Sequence, residues 1–373
     1  MSDGLLMTGA TGFVGMEVLG RYLEQSDDRI FALVRAGDDA AAAERVRATL
    51  RDLFGLRARR YENRVVGVAA DLLAPELGLS PARRVELARQ VNRVVHIAAS
   101  VSFALPLDEA RAINREGTNR VLELAELAKQ HGGLERYAHV STAYVAGTHR
   151  GRFFERDLDV SQAFRNSYEQ AKFEAEELVR GRSDLPTTIL RPSIIVGDRN
   201  SGWTSAFNVL YWPLRAFARG LYPVVPAVPS TPVDVVSIDF VADAVHELCR
   251  SGVGIGHTYH LTAGVNASSV AELVELASHY FKRPPPQVLT PVEFEAYMQN
   301  ATGLERSVFG RSAEYFPYFA LSTEFDNAAA RAVLEPVEIA PSPLRSYISR
   351  LLDFAVRSRW GKRPIARSEA AVA

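Results

Sequence analysis

Thr8-Gly9-Ala10-Thr11-Gly12-Phe13-Val14-Gly15 closes the short apolar run of residues 4–8 and opens a helical pattern that carries Val18, Leu19, Tyr22 and Leu23. Its glycines fall at a G-x-x-G-x-x-G spacing, the pattern of a turn between a first strand and a first helix where backbone must approach a pyrophosphate. Gly9 and Gly12 allow the tight turn and the close approach, Gly15 lets the helix pack on the strand, and free N–H groups at the helix start stabilise an anion. Thr8, Thr11, Phe13 and Val14 belong to the same cradle. A glycine triplet alone is weak evidence. Here a strand precedes it, a helix follows it, and further strand and helix units come behind.

Outward from this loop, residues 29–35, 64–69, 92–97, 136–141 and 186–191 read as further strands, with helices at 13–25, 40–54, 81–90, 107–130 and 167–181. Short β-branched apolar runs alternating with longer helical patterns predict an α/β fold: a doubly wound parallel Rossmann sheet with helices on both faces. After Gly197 the pattern is broken by aromatic and proline-rich stretches at 203–232 and 284–291. Residues 1–196, with 233–262 returning as strand, helix and strand, are therefore expected to form the dinucleotide-binding domain. Residues 197–232 and 263–373 are expected to form a smaller, mostly helical C-terminal lobe that takes the substrate, with a helix at 268–282. The tail from Arg363 is expected to fray.

The end of the second strand faces the cofactor's ribose, and Arg35 stands there, twenty residues after Gly15. A carboxylate would accept from the free 2′-hydroxyl of NAD, whereas a guanidinium offers planar donors to a 2′-phosphate, so NADPH/NADP is expected. Arg45, early in the next helix, is a second candidate for that phosphate, against the plainer reading of a solvated surface arginine. Asp71 follows the third strand, placed to meet the adenine amine with Leu72 over the ring, unless it merely caps a turn. In Val95-His96-Ile97-Ala98-Ala99 the small side chains, Ala98 among them, let a dinucleotide lie against backbone, and His96 reads as structural.

Tyr168 and Lys172 in Ser167-Tyr168-Glu169-Gln170-Ala171-Lys172 lie four residues apart, one helical turn, on one face. A phenol with a pKa near 10 becomes a useful acid beside a positive charge, which Lys172 can provide. Upstream, Val140-Ser141-Thr142-Ala143-Tyr144-Val145-Ala146-Gly147 ends a strand in hydroxyl residues, and Thr142 is placed to hydrogen-bond a carbonyl oxygen.

Together these segments resemble the extended short-chain dehydrogenase/reductase superfamily, through T-G-A-T-G-F-V-G, H-I-A-A-S, S-T-A-Y-V-A-G, Y-E-Q-A-K and Arg191-Pro192-Ser193-Ile194-Ile195-Val196-Gly197, over residues 4 to about 250. The resemblance implies Thr142, Tyr168 and Lys172 as a catalytic triad, with Lys172 also a cofactor contact and Asn114 supporting the site or a proton relay. Leu33-Val34-Arg35-Ala36, Asp71-Leu72 with Gly78-Leu79-Ser80, and Pro232 to Asp239 are most similar to the fatty acyl-CoA reductase and thioester reductase branch, which includes terminal domains of carboxylic acid reductases. That branch implies reduction of an acyl thioester, held by CoA or a carrier protein, to an aldehyde, with a second hydride leading to the alcohol. The rival readings are an NADP(H)-dependent ketone or aldehyde reductase or secondary-alcohol dehydrogenase, a sugar-nucleotide epimerase or dehydratase that consumes no net NADPH, and a non-catalytic NADP(H) sensor. Phe207, Tyr211, Trp212, Phe217, Tyr222, Phe294, Tyr297 and Phe316 are candidates to line an acyl channel, with core packing as the alternative.

Composition narrows the field further. With 43 basic and 44 acidic residues among 373, no net field recruits nucleic acid. The one cysteine, Cys249, cannot form an internal disulfide and reads as a packed hydrophobe. The glycine motif begins too early to leave room for a leader peptide, and no run of eighteen apolar residues occurs, so a cytoplasmic location is expected, with peripheral membrane contact unsupported. No metal site is expected, and the oligomeric state is a monomer or a homodimer.

Overall fold

The protein is described by a computed structural model covering residues 4–207, 209–250 and 252–370. Seven strands, β1 (Gly4–Thr8), β2 (Arg29–Val34), β3 (Val65–Ala69), β4 (Arg93–His96), β5 (Arg136–Val140), β6 (Thr187–Pro192) and β7 (Thr258–Leu261), form one sheet in the order 7-6-5-4-1-2-3. Every neighbouring pair is parallel. The order reverses at β1, and the crevice beyond the strands' carboxyl ends at such a switch point is where an open α/β sheet binds its ligand.

The strands show why both faces need helices. Leu5 and Met7, and Ile30, Ala32 and Val34, enter one buried cluster, whereas Leu6, Phe31 and Leu33 enter another. Successive side chains point to opposite faces, so a run apolar at every position must be covered twice. The first face is covered by α1 (Phe13–Gln25), α2 (Asp39–Phe54) and later α8 (Ile238–Arg250). On the second, α3 (Pro81–Ala88), α5 (Glu116–His131) and the end of α6 (Ser167–Arg180) supply Leu87, Val121, Leu124 and Val179. Cys249 is buried in the first cluster, and that burial pushes its thiol up to about 12.

Two expectations need correction. The single helix expected at 107–130 is divided into α4 (Leu107–Asn114) and α5, because the Thr118 hydroxyl donates to the Asn114 carbonyl at 2.6 Å and disturbs the helical ladder. The tail is docked, not frayed, as far as it is described. Trp203 Nε1 donates to the Ile365 carbonyl at 3.0 Å, and Arg367 Nε donates to Glu17 Oε1 at 3.0 Å. Glu17 is buried in α1, and a buried carboxylate needs a cation. The expectation for residues 371–373 lies outside the described residues.

A third buried cluster gathers α7 (Tyr211–Ala218), α9 (Val270–Phe281), α10 (Pro291–Gln299), α11 (Gly303–Gly310) and α13 (Ile348–Arg357), with α12 (Ala328–Leu334) packed instead beside β7. Two short parallel strand pairs tie this region to the sheet's end: Ile194–Val196 with Val235–Ser237, and Gly151–Phe153 with Thr323–Phe325. Among the described residues no helix is long and apolar enough to cross a membrane.

Candidate active site

A groove of about 750 Å³ runs across the carboxyl ends of the central strands, from Arg35 and Asp71 at one end to Thr142 and Tyr168 at the other. At its middle the glycine loop turns from β1 into α1. Gly9 has φ +77°, and a Cβ there would lie 2.8 Å from the Ala98 nitrogen. A Cβ on Gly15 would lie 1.9 Å from the Gly9 carbonyl oxygen. Only glycine fits either place. The bare loop leaves a cradle at the start of α1 that suits the pyrophosphate of a nicotinamide dinucleotide.

Thr8 serves this cradle from below. Its hydroxyl accepts from Ile97 N and Ala98 N, each at 3.1 Å, and lies 2.7 Å from His96 Nδ1. Having accepted twice, the hydroxyl gives its one proton to Nδ1, so the ring proton sits on Nε2 and is donated to Thr118 at 3.0 Å. Burial, aided by the Lys172 charge, pushes His96 down to about 3, so it is neutral and structural. At the outer end Arg35 is exposed on the rim, and Arg45 donates to the Thr11 hydroxyl at 3.3 Å and to the Arg35 carbonyl. Asp71 Oδ1 accepts from Leu73 N at 2.9 Å, so this oxygen caps a turn, and both Asp71 and Leu72 line the groove.

At the inner end Thr142 follows β5 and accepts from Tyr144 N at 3.2 Å. Tyr168, in the first turn of α6, lines the groove beside Thr142, whose hydroxyl donates to the Pro192 carbonyl at 3.4 Å. The turn is set by Asn166, whose side chain accepts from Glu169 N at 3.0 Å as the helix cap. Burial raises the Tyr168 hydroxyl to about 12, with the nearby Thr142 hydroxyl opposing. Lys172 is buried one turn further along α6 and points at the sheet. Its Nζ donates to the Val140 carbonyl at 2.9 Å and lies 3.4 Å from His139 Nε2. Burial pulls this amine down to about 8, with Glu176 opposing. Lys172 does not line the groove. Asn114 is also set back, pinning the strand-end loop through Ser100 N at 2.8 Å and Ser100 O at 3.0 Å.

Beneath α6, Arg191 and Glu176 form a fully buried ion pair at 2.6 Å, and the Ser141 hydroxyl donates to Glu176 at 2.8 Å. This pair explains an arginine at the end of an apolar strand. It anchors α6 to β6 and to the residue before Thr142.

The groove is roofed by residues that sequence reading did not single out. Phe103 packs 5.7 Å from the Tyr168 ring and stacks on Tyr318 at 5.4 Å, with Tyr315 at 6.0 Å. Tyr318 donates to Glu169 at 2.7 Å. Tyr144 was visible two residues after Thr142, but Phe103, Tyr315 and Tyr318 come from irregular segments with no periodic signal. None of the eight aromatic channel candidates lines this groove; Phe217, Tyr222 and Phe316 line a separate apolar cavity of about 70 Å³, with Leu214 and Leu273.

Fold and site together define an NAD(P)-dependent oxidoreductase of the extended short-chain dehydrogenase/reductase type. More narrowly, the chain belongs to the male sterility protein family, an NAD-binding family whose profile matches residues 7–245. It is 31% identical over 287 residues, 76% of the chain, to isonitrile lipopeptide synthase of Streptomyces coeruleorubidus. It is also 31% identical over 270 residues, 68% of the chain, to the L-2-aminoadipate reductase large subunit of Penicillium chrysogenum. The chain spans 19% of each of these relatives. The terminal R domain of the myxalamid PKS-NRPS pathway superposes with a TM-score of 0.84 at 26% identity, covering 98% of this chain and 93% of that one.

Proposed function

We propose that this protein reduces an acyl thioester to an aldehyde and a free thiol, using NADPH. The observation that carries the reading is the Tyr168–Thr142 hydroxyl pair at the inner end of the groove that begins at the glycine loop. When bound, the dinucleotide supplies the hydride. Tyr168 and Thr142 donate to the substrate's carbonyl oxygen as negative charge grows there, and Tyr168 gives up its proton. A hydroxyl raised to about 12 is protonated at neutral pH, which is the state an acid needs. The hemithioacetal then releases thiol and aldehyde. Lys172, largely an ammonium at pH 7, keeps a positive charge beneath the reacting end, and Asn114 holds the loop that shapes it.

The cofactor preference rests on Arg35 and Arg45 at the outer end, where the strand ends without a carboxylate. Leu72 and Asp71 frame the adenine, and Ala98 leaves room for the dinucleotide beside Gly9. The region of residues 197–232 and 263–373 supplies Tyr315 and Tyr318 to the roof and is the substrate lobe in this reading. The two relatives are a synthase and a reductase of which this chain matches only a part, which supports an acyl group loaded elsewhere and presented as a thioester, by CoA or a carrier protein.

The test is to follow NADPH absorbance and thiol release together on a panel of acyl-CoA and acyl-pantetheine thioesters, with Tyr168→Phe as control. Matched NADPH loss and thiol release, abolished in the variant, support the reading. NADPH loss on aldehydes or ketones with no thioester turnover would move the protein to the general carbonyl reductases.

A further inference from the structure

Four lysines occur in the chain, and Lys129, Lys282 and Lys362 are exposed while Lys172 is buried. Arginine carries nearly all the remaining positive charge, including the buried ion pair of Arg191 with Glu176. A buried amine differs from a guanidinium in being a compact charge whose protonation responds to its surroundings. What surrounds Lys172 therefore matters to the proposed reaction.

Three elements face it. From α6 comes Glu176, whose oxygens are engaged by Arg191 and Ser141. From β4 comes His96, neutral, with its one proton directed away to Thr118. From β5 comes His139, fully buried, 5.4 Å from the His96 ring and 3.4 Å through Nε2 from the Lys172 nitrogen. Nε2 can face an ammonium only as an acceptor, so the imidazole proton sits on Nδ1. Nδ1 has no hydrogen-bond partner among the described residues. A buried donor left unpaired is destabilising, and a leucine or phenylalanine would fill the same core without that cost. A histidine here is thus explained by its other nitrogen, the one turned toward Lys172.

We propose that His139 is a positioning residue: its neutral imidazole accepts a hydrogen bond from Lys172 and, with the Val140 carbonyl, fixes the ammonium one turn below Tyr168. This rests on the reading of Tyr168 and Lys172 as the reacting end, and it adds a residue that acts only through Lys172. Removing the acceptor leaves the ammonium with one fewer partner in a dry site, which favours the neutral amine. The titration of Lys172 then moves to lower pH, and the alkaline limb of the activity profile moves with it.

The test uses the full chain with ¹³C-labelled lysine, in which the buried Lys172 gives one of four signals. In His139→Leu the Lys172 titration is expected to fall by about one pH unit from its value near 8, with a roughly threefold loss of kcat at pH 7.5 on hexanoyl-CoA, while the KM for NADPH stays within about twofold. His139→Gln, which restores an acceptor near the Nε2 position, is expected to recover most of both. A folded His139→Leu with an unchanged Lys172 titration overturns the proposal. Should that variant not fold, ¹⁵N-histidine spectra of the unmodified protein decide: the Nδ1–H tautomer supports it, and the Nε2–H tautomer overturns it. Absence of hexanoyl-CoA and hexanal turnover would count against the thioester reading alone, because the lysine titration and histidine tautomer need no substrate.

Discussion

The two ends of the groove are built from different materials. The glycine loop is main chain: Gly9 and Gly15 matter because their side chains are missing, and a continuous stretch of eight residues supplies the whole feature. The reacting end is side chain throughout, drawn from the loop after β4, the end of β5, the first turn of α6 and the segment around Tyr315, then braced from beneath by Glu176 and Arg191. A backbone device fails by steric exclusion, which acts on binding. A side-chain device fails by loss of one proton or charge, which acts on turnover. If that division holds, substitutions at the two ends will separate cleanly in kinetics.

The largest effect is expected from Gly15→Ala. Its methyl group would have to occupy space 1.9 Å from the Gly9 carbonyl, against backbone that cannot move without dismantling the turn. NADPH binding, followed by nucleotide fluorescence, is expected to be lost at concentrations that saturate the native protein. A variant that binds normally would show that the loop is not the pyrophosphate cradle. Tyr168→Phe is the opposite case: kcat should fall by about 10²- to 10⁴-fold while NADPH affinity stays within about twofold. A parallel loss of both would mean that the ends are not separable.

Glu176→Gln probes the brace beneath the reacting end. It leaves Arg191 buried without its charge partner, and a loss of about 3 kcal/mol in unfolding free energy is expected by chemical denaturation. The pH dependence has a definite sign. Burial alone would raise the Glu176 carboxyl, but the Arg191 charge and hydrogen bonds more than offset this and hold it below its usual 4.5. Its contribution to stability is then present above that value and drains away as pH falls through the lower folded value. The gap between native protein and variant should narrow on acidification below about pH 4.5. A gap that is constant with pH would place the effect in packing instead of charge.

The same division explains what could be read from the chain. The glycine loop, the strand and helix alternation and the Tyr-Lys spacing are local patterns, and the structure follows them to within a few residues at most ends. Phe103, Tyr315 and Tyr318 meet only through tertiary folding, from stretches with neither helical nor strand period, so no local pattern announces them. Arg367 reaches Glu17 across 350 positions, which is why the tail looked free to fray. The break after Asn114 depends on where one threonine hydroxyl turns, and periodicity cannot carry that. His139 looked like one more residue of a strand until Lys172 was seen to turn toward it.

The smallest and most discriminating effect concerns the outer end, where side chains enter the backbone half of the comparison. Arg35 lines the groove as an exposed side chain, whereas Arg45 is tied to Thr11 and to the Arg35 carbonyl and so also shapes the loop. Arg35→Ser should lower NADPH affinity about tenfold, roughly 1.4 kcal/mol, and leave NADH affinity nearly unchanged, because only the 2′-phosphate loses a donor. Arg45→Ser should weaken both nucleotides by a few-fold, because the Thr11 contact is lost whichever ribose is bound. Titrations of both variants with both nucleotides separate the two roles. Equal losses on NADPH and NADH in Arg35→Ser would make that arginine a shaping residue too, and the expectation of an NADP-selective site would fall with it.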